Sequence, residues 1–197
     1  MLNVKYDPID LANHSLRAGK IISFATDTVY GLAVDASNFN AVDDLYKIKN
    51  REKNKPIAIF LKNLEEAKKL FYFDETAEKI SAKFLPGSLT LVLKTRPQAA
   101  SLLASNLNQN SDGFLGFRIL DQKFMQDLLE KFGGIIAVTS ANPAGKKPAI
   151  NSAEVKKYFS DRCLIIDGGT CEKKIASTVV KIFNNKIEIL RQGSVKL

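Results

Sequence analysis

Lys20-Ile21-Ile22-Ser23-Phe24-Ala25-Thr26-Asp27-Thr28-Val29-Tyr30-Gly31-Leu32-Ala33-Val34 is the stretch on which the fold reading turns. Residues 20–25 form an apolar run of buried-strand character, Thr26-Asp27-Thr28 is a polar break, and Val29 to Val34 form a second short strand. Working outward, Asp7 reads as an N-cap and Pro8 as the first position of a helix that ends at Gly19. On the other side, Val42, Leu45, Tyr46 and Ile48 recur at helical spacing within Asn40 to Asn50. Strands and helices therefore mix irregularly instead of alternating strictly. A mixed sheet with flanking helices suits this order better than a doubly wound parallel fold.

The remaining segments extend the pattern. Pro56 to Leu61 is strand-like, and helices over Leu64 to Phe71 and Glu75 to Leu85 stop at Pro86-Gly87. Leu89 to Lys94 and Phe114 to Leu120 read as strands, and Asp121 reads as the cap of a helix stopped by Gly133-Gly134. Ile135 to Val138 is a short strand broken by Thr139-Ser140-Ala141-Asn142. Asn151 caps a further helix, and Cys163 to Ile166 is a strand. Thr178 to Phe183 and Ile187 to Leu190 form a hairpin around Asn184-Asn185. Thr95 to Gly113 and Asn142 to Ile150 are expected as the longest loops. The expectation is one α/β domain over residues 1–197: a twisted mixed sheet flanked by helices, with a basic concave cleft.

Composition narrows the class. Hydrophobic residues make up 45% of the 197 residues, enough to bury a sizeable core. No apolar run approaches the ~20 residues of a membrane span, and the N-terminus has no signal-peptide pattern, so a cytoplasmic protein is expected. Cys163 and Cys171 read as reduced thiols, and the single histidine, His14, excludes a paired-histidine metal centre. No metal site made by protein side chains is expected. A net charge of +8 favours phosphates or nucleic acid as ligands.

Three features could carry chemistry. Lys47, Lys49, Arg51, Lys53 and Lys55 fall on alternate positions. In an extended chain they would share one face and could grip a polyphosphate; at a helix end they would be solvated cations complementing the dipole. Thr26-Asp27-Thr28, Thr139-Ser140-Ala141-Asn142 and Ser177-Thr178 are small polar clusters beside apolar runs. They could line one crevice or simply be turn chemistry. Arg118 lies inside the apolar strand Gly116-Phe117-Arg118-Ile119-Leu120, where it needs an anionic ligand or a buried ion-pair partner. Neither a Walker-type phosphate loop nor a Gly-x-Gly-x-x-Gly turn exists, so a nucleotide would be held by side chains.

In order along the chain, these segments resemble the YrdC-like family, the threonylcarbamoyl-AMP synthases of tRNA modification. Thr26-Asp27-Thr28-Val29-Tyr30-Gly31-Leu32 is similar to the family's Pro-Thr-[Asp/Glu]-Thr-x-Tyr-Gly-Leu opening, with Ala25 in place of proline. Lys49-Asn50-Arg51, followed by Lys55-Pro56, matches its Lys-x-Arg signature. Pro86-Gly87-Ser88-Leu89-Thr90, Gly116-Phe117-Arg118 and Thr139-Ser140-Ala141-Asn142 match further segments. Ser177-Thr178-Val179-Val180 and Ile189-Leu190-Arg191-Gln192-Gly193 match the closing pair, Gln192 replacing a common proline. Phe60 stands where longer members often carry a polar residue, and the chain resembles the short form without an extra C-terminal domain.

The resemblance implies a YrdC-like fold and a nucleotidyltransferase. It would make L-threonylcarbamoyladenylate and pyrophosphate from L-threonine, bicarbonate and ATP, with Mg²⁺ accompanying the ATP, for the N6-threonylcarbamoyladenosine modification of tRNA. It further implies Lys49 and Arg51 as catalytic, and Arg51, Lys55, Asn142 and Arg191 as ATP-binding. Thr28, Arg118, Ser140 and Ser177 would bind threonine, with Arg118 on its carboxylate. Direct contact with tRNA and a downstream tRNA threonylcarbamoyl transferase complex stay open as partners; a membrane is not expected. Rival readings are an RNA-binding module without catalysis, a related enzyme that adenylates carbamate for another acceptor, and the YciO-like branch.

Overall fold

The computed structural model describes residues 7–53, 55–107 and 112–197. In chain order it contains α1 (Pro8–Arg17), β1 (Ile22–Phe24), β2 (Gly31–Asp35), α2 (Phe39–Lys49), β3 (Ala58–Phe60), α3 (Leu64–Leu70), α4 (Glu75–Phe84) and β4 (Leu89–Lys94). There follow α5 (Pro97–Leu102), β5 (Phe114–Arg118), α6 (Lys123–Phe132), β6 (Ile136–Ser140), α7 (Ser152–Phe159), β7 (Leu164–Ile165), β8 (Thr178–Phe183) and β9 (Lys186–Arg191). The strands join in one mixed sheet of order β7-β1-β2-β6-β3-β5-β4-β8-β9. Only β1/β7, β3/β5 and β4/β8 run parallel. Among the described residues no helix is long and apolar enough to cross a membrane.

Local chemistry sets most boundaries. The side chains of Asp7, Asn38, Asn63, Asp74 and Asn151 each accept a hydrogen bond from a first-turn amide of α1, α2, α3, α4 and α7, satisfying donors that a helix leaves open. Asn184 and Asn185 both take positive φ, which turns β8 into β9 as the hairpin requires.

Three expectations change, and one open choice falls to the helical alternative. α6 begins at Lys123 with Gln122 at its N-cap and no side-chain cap bond, so Asp121 does not cap it. β6 runs on through Ser140 instead of breaking at Thr139, because Gly31–Asp35 of β2 pairs along its whole length. The expected loop from Thr95 contains α5, started by Pro97 at the position where a missing amide costs nothing; residues 108–111 of that loop lie outside the described residues. The alternating basic residues form no common face: α2 includes Lys49, and Asn50 then takes the left-handed conformation (φ 51°) and turns the chain away.

The sheet divides its two faces by strand alternation. On one face Leu91, Leu115, Phe117, Val180 and Ile182 join a core with Val42, Leu45 and Tyr46 of α2, Leu70 of α3 and Phe159 of α7. On the other, Ile22, Phe24, Ala33 and Ile136 pack under Leu16 of α1 and Met125, Leu128 and Phe132 of α6. This second helical layer reaches Phe60 and Val138 and stops. Beyond them the same face lies open, and that opening is the cleft.

Candidate active site

The cleft has a volume of about 550 Å³, within the range of small-molecule sites. Its floor follows the period-2 rule: Thr90 and Val92 of β4, Phe114, Gly116 and Arg118 of β5, and Val179 and Lys181 of β8 face it, while the residues between them face the core. Gly116 keeps the floor low, since a Cβ there would stand 3.3 Å from Thr90 Cγ2 and 3.4 Å from Ala58 Cβ. The charged lining comprises Arg51, Arg118, Lys181 and Arg191 against Asp112 and Glu188.

The polar break between β1 and β2 is a folded hook. Thr26 Oγ1 accepts from the amides of Thr28 (3.1 Å) and Val29 (3.2 Å) and donates to the Val29 carbonyl (2.6 Å). That holds the Thr28 hydroxyl against Arg118, whose Nη1 donates to Thr28 Oγ1 at 2.9 Å. Arg118 Nε donates to the Gly87 carbonyl at 2.8 Å, and Nη2 forms an ion pair with Asp27. Of the two partners open to Arg118, the intramolecular one is thus present, although the guanidinium still lines the cleft. Burial by itself would raise the Asp27 pKa. Arg118, a hydrogen bond from Ser88 and the nearby Lys173 outweigh it and hold the carboxyl below its usual range.

Opposite, Arg191 Nε donates to the Ser177 carbonyl (3.0 Å) and Nη2 to Ser177 Oγ (3.1 Å), which in turn meets Thr90 Oγ1 at 2.9 Å. Arg51 is braced by its own loop, donating from Nε to the Lys55 carbonyl and from Nη2 to the Pro56 carbonyl, each at 3.1 Å. Burial lowers the pKa of Arg51, Arg118 and Arg191; Arg191 adds to that effect on Arg118, and Arg51 to that on Arg191. Arg191 therefore stands close enough to feel the charge of both Arg118 and Arg51.

Of the residues singled out in the sequence, Thr28, Arg51, Arg118, Ser140, Ser177 and Arg191 line this one cleft. Lys49, Lys55 and Asn142 do not. Lys49 is buried, 1% exposed, and its ammonium donates to the carbonyl oxygens of Ser140 and Asn142 (2.7 Å for the latter) and to Asn142 Oδ1 (3.3 Å). Burial, then the charge of Arg51, brings its pKa down to about 7. Asn142 is committed as well: its Oδ1 accepts from Ser140 Oγ at 2.6 Å and its Nδ2 donates to the carbonyls of Pro143 and Lys146. Lys55 pairs with Glu52 at 3.2 Å in solvent, and Lys47 and Lys53 both pair with Asp43.

Sequence reasoning passed over Thr90 and Lys181 as site residues, and carried Asp27 only as one member of a polar cluster, with no role of its own. Thr90 and Lys181 had a usable signal, since each sits in phase with cleft-facing positions of its strand. Asp27 had none of that kind, because its partner is 91 residues away. Among the described residues no group of three His, Cys, Asp or Glu could hold a metal ion.

The profile of a family described as telomere recombination, Sua5/YciO/YrdC, matches residues 14–193. A Methanocaldococcus jannaschii protein that carries the name threonylcarbamoyl-AMP synthase provisionally is 35% identical over 91% of this chain and 82% of its own length. The threonylcarbamoyl-AMP synthase of Bos taurus is 35% identical over 90% of this chain. The crystal structure of P. abyssi Sua5 complexed with L-threonine superposes with a TM-score of 0.86 at 30% identity, covering 96% of this chain. The chain spans 65% of the bovine protein and 55% of the P. abyssi chain. A match of this extent, in sequence and in fold together, means that the chain belongs to the Sua5/YciO/YrdC family.

Proposed function

We propose that the protein is a nucleotidyltransferase that joins L-threonine, bicarbonate and ATP into L-threonylcarbamoyladenylate, releasing pyrophosphate, in the cytoplasm. The product would supply the N6-threonylcarbamoyladenosine modification of tRNA through a downstream threonylcarbamoyl transferase complex. The observation that carries this reading is the convergence of three guanidiniums, Arg51, Arg118 and Arg191, in one cleft beside the hydroxyls of Thr28, Ser140 and Ser177, with Arg191 near enough to feel the charge of both others. Cations held together at such a cost are the mark of a site for several anionic groups.

The chemistry follows from that arrangement. Arg118 takes the α-carboxylate of threonine, and a hydroxyl among Thr28, Ser140 and Ser177 takes the side-chain hydroxyl. The free α-amine takes up the carbon dioxide that bicarbonate yields, a C–N bond forming as the C–O bond of bicarbonate breaks, and the amine proton leaves with the released hydroxide as water, giving a carbamate. A carbamate oxygen attacks the α-phosphorus, the bond to the β-phosphate oxygen breaks, and its electron pair leaves with pyrophosphate. No strong base is needed; the demand is for charge stabilisation on the departing phosphates. Arg51 and Arg191 supply it, with Mg²⁺ arriving on the ATP. Lys49 acts at one remove, by holding the Ser140–Asn142 turn in shape. Lys55 and Asn142 would reach nucleotide only if the loops that carry them shift.

Mass spectrometry of the products formed from ATP, bicarbonate and L-threonine tests the reading. Threonine-dependent carbamoyladenylate and pyrophosphate are expected. ATP left intact, or adenylate formed equally well without an amino acid, would overturn it.

A further inference from the structure

Of the polar break between β1 and β2, the proposed site uses only Thr28, while Asp27 is the residue of the three that carries ion pairs. Arg118 lines the cleft and Asp27 is not among its lining residues, so the ion pair joins a wall of the site to something behind it. Asp27 Oδ1 accepts from Arg118 Nη2, and Oδ2 accepts from Ser88 Oγ and from Lys173 Nζ at 3.3 Å. The Asp27 carbonyl accepts from the Lys173 amide at 3.0 Å. The carboxylate is thus anchored through Oδ2 by Ser88 of the Pro86-Gly87-Ser88 turn and by Lys173 of the loop before Ser177, which leaves Oδ1 for Arg118.

Three N–H groups of Arg118 are pinned by these contacts: Nε on Gly87, one of Nη1 on Thr28 and one of Nη2 on Asp27. One N–H on each terminal nitrogen keeps no described partner. Two such donors on one planar group are what bidentate recognition of a carboxylate uses. We infer that Asp27 is a positioning residue for the amino-acid substrate, fixing Arg118 from behind so that its two remaining N–H groups face the cleft as a fork for the α-carboxylate. This deepens the proposed reading of the cleft and rests on it. Arg118 is only 3% exposed, so without Asp27 its charge would lack a counter-ion and its long side chain would lack its strongest restraint. The pinned planar fork also loses less entropy on binding than a free one.

The test is equilibrium binding of L-threonine to the whole protein by calorimetry, set beside KM for threonine and for ATP. Asp27→Asn keeps size and removes charge; it should weaken threonine binding about 10- to 100-fold, the value of one charge-assisted bond, with ATP KM unmoved. Asp27→Glu restores the charge and should return threonine binding toward wild type. Wild-type threonine affinity in Asp27→Asn overturns the inference and leaves the proposed function standing. A parallel loss for threonine and ATP with a lowered melting temperature, unrepaired by Asp27→Glu, overturns it in favour of a merely structural pair. If the wild-type protein binds no threonine, the reading of the cleft falls and this inference falls with it.

Discussion

Lys49 Nζ lies 2.7 Å from the carbonyl oxygen of Asn142, tying the last residue of α2 to the turn that follows β6 across 93 residues of sequence. The neighbouring member of the same motif, Arg51, lines the cleft. Two cations two positions apart are therefore placed differently. One is spent on the turn and the other lines the cleft.

That division predicts different costs for their removal. Lys49→Met strands the Ser140 and Asn142 carbonyls without their donor and should destabilise the fold by about 1–3 kcal/mol, lowering turnover as the turn loosens. Arg51→Ala should leave the melting temperature nearly unchanged and cost about 2–4 kcal/mol of transition-state stabilisation, as when one oxyanion donor is lost. Thermal unfolding beside pyrophosphate release separates the two. Equal stability losses would contradict the assignment.

Lys49 also makes stability depend on pH. Its pKa falls from 10.5 to about 7 on folding. Between those values the unfolded chain binds the extra proton and the native one does not, so stability from this group rises with pH and is lost as pH falls through about 7. Urea unfolding of wild type between pH 7 and pH 10 should show an added slope of up to about 1.4 kcal/mol per pH unit over Lys49→Met. Three oxygens converge on Nζ and use all three ammonium protons; if they hold the charged form throughout, the slope vanishes.

The loop after α2 offers a control on charge. Lys53 is spent on Asp43, which Lys47 also holds, and Asp43 has a lowered pKa from both bonds. Lys55 has only a solvated pair with Glu52, worth about 0.5 kcal/mol, and is free to turn toward phosphate. Lys53→Ala should leave ATP KM at the wild-type value, while Lys55→Ala raises it. Matching effects would mean that only the summed charge of the loop matters.

Substrate choice tests the cleft most directly. On the proposed reading Arg118 takes the carboxylate common to all amino acids, so Arg118→Ala should weaken threonine and serine alike. A site that hydrogen-bonds a hydroxyl rejects the isostere lacking it far more strongly than an apolar contact rejects a missing methyl. Valine should therefore be a very poor substrate, and serine one reduced about 10–200-fold. Carbamoyladenylate formation with each amino acid, at saturating ATP and bicarbonate, measures this. Valine reacting as well as threonine would remove Thr28, Ser140 and Ser177 from the hydroxyl-binding role.

The cap expected at Asp121 did not form, whereas the caps at Asp7 and Asn151 and the Asn184-Asn185 turn were legible along the chain. Each depends on residues within a few positions of one another, where backbone geometry and side-chain period leave little choice. Small polar residues at strand ends and one arginine in an apolar strand left a site and ordinary turn or ion-pair chemistry both open, and the family resemblance named the candidates, of which Lys49, Lys55 and Asn142 do not line the cleft. Their orientation was not legible. Whether Lys49 met phosphate or protein depended on Asn50 turning the chain and on the Ser140–Asn142 oxygens arriving from β6. Whether Arg118 had a partner depended on Asp27, brought beside it by a sheet whose neighbours are rarely consecutive strands. The cleft itself exists because the layer of α1 and α6 stops at Phe60 and Val138, leaving the rest of one face bare. Those outcomes rest on burial and on contacts between distant segments, and burial is decided only when all the layers have packed.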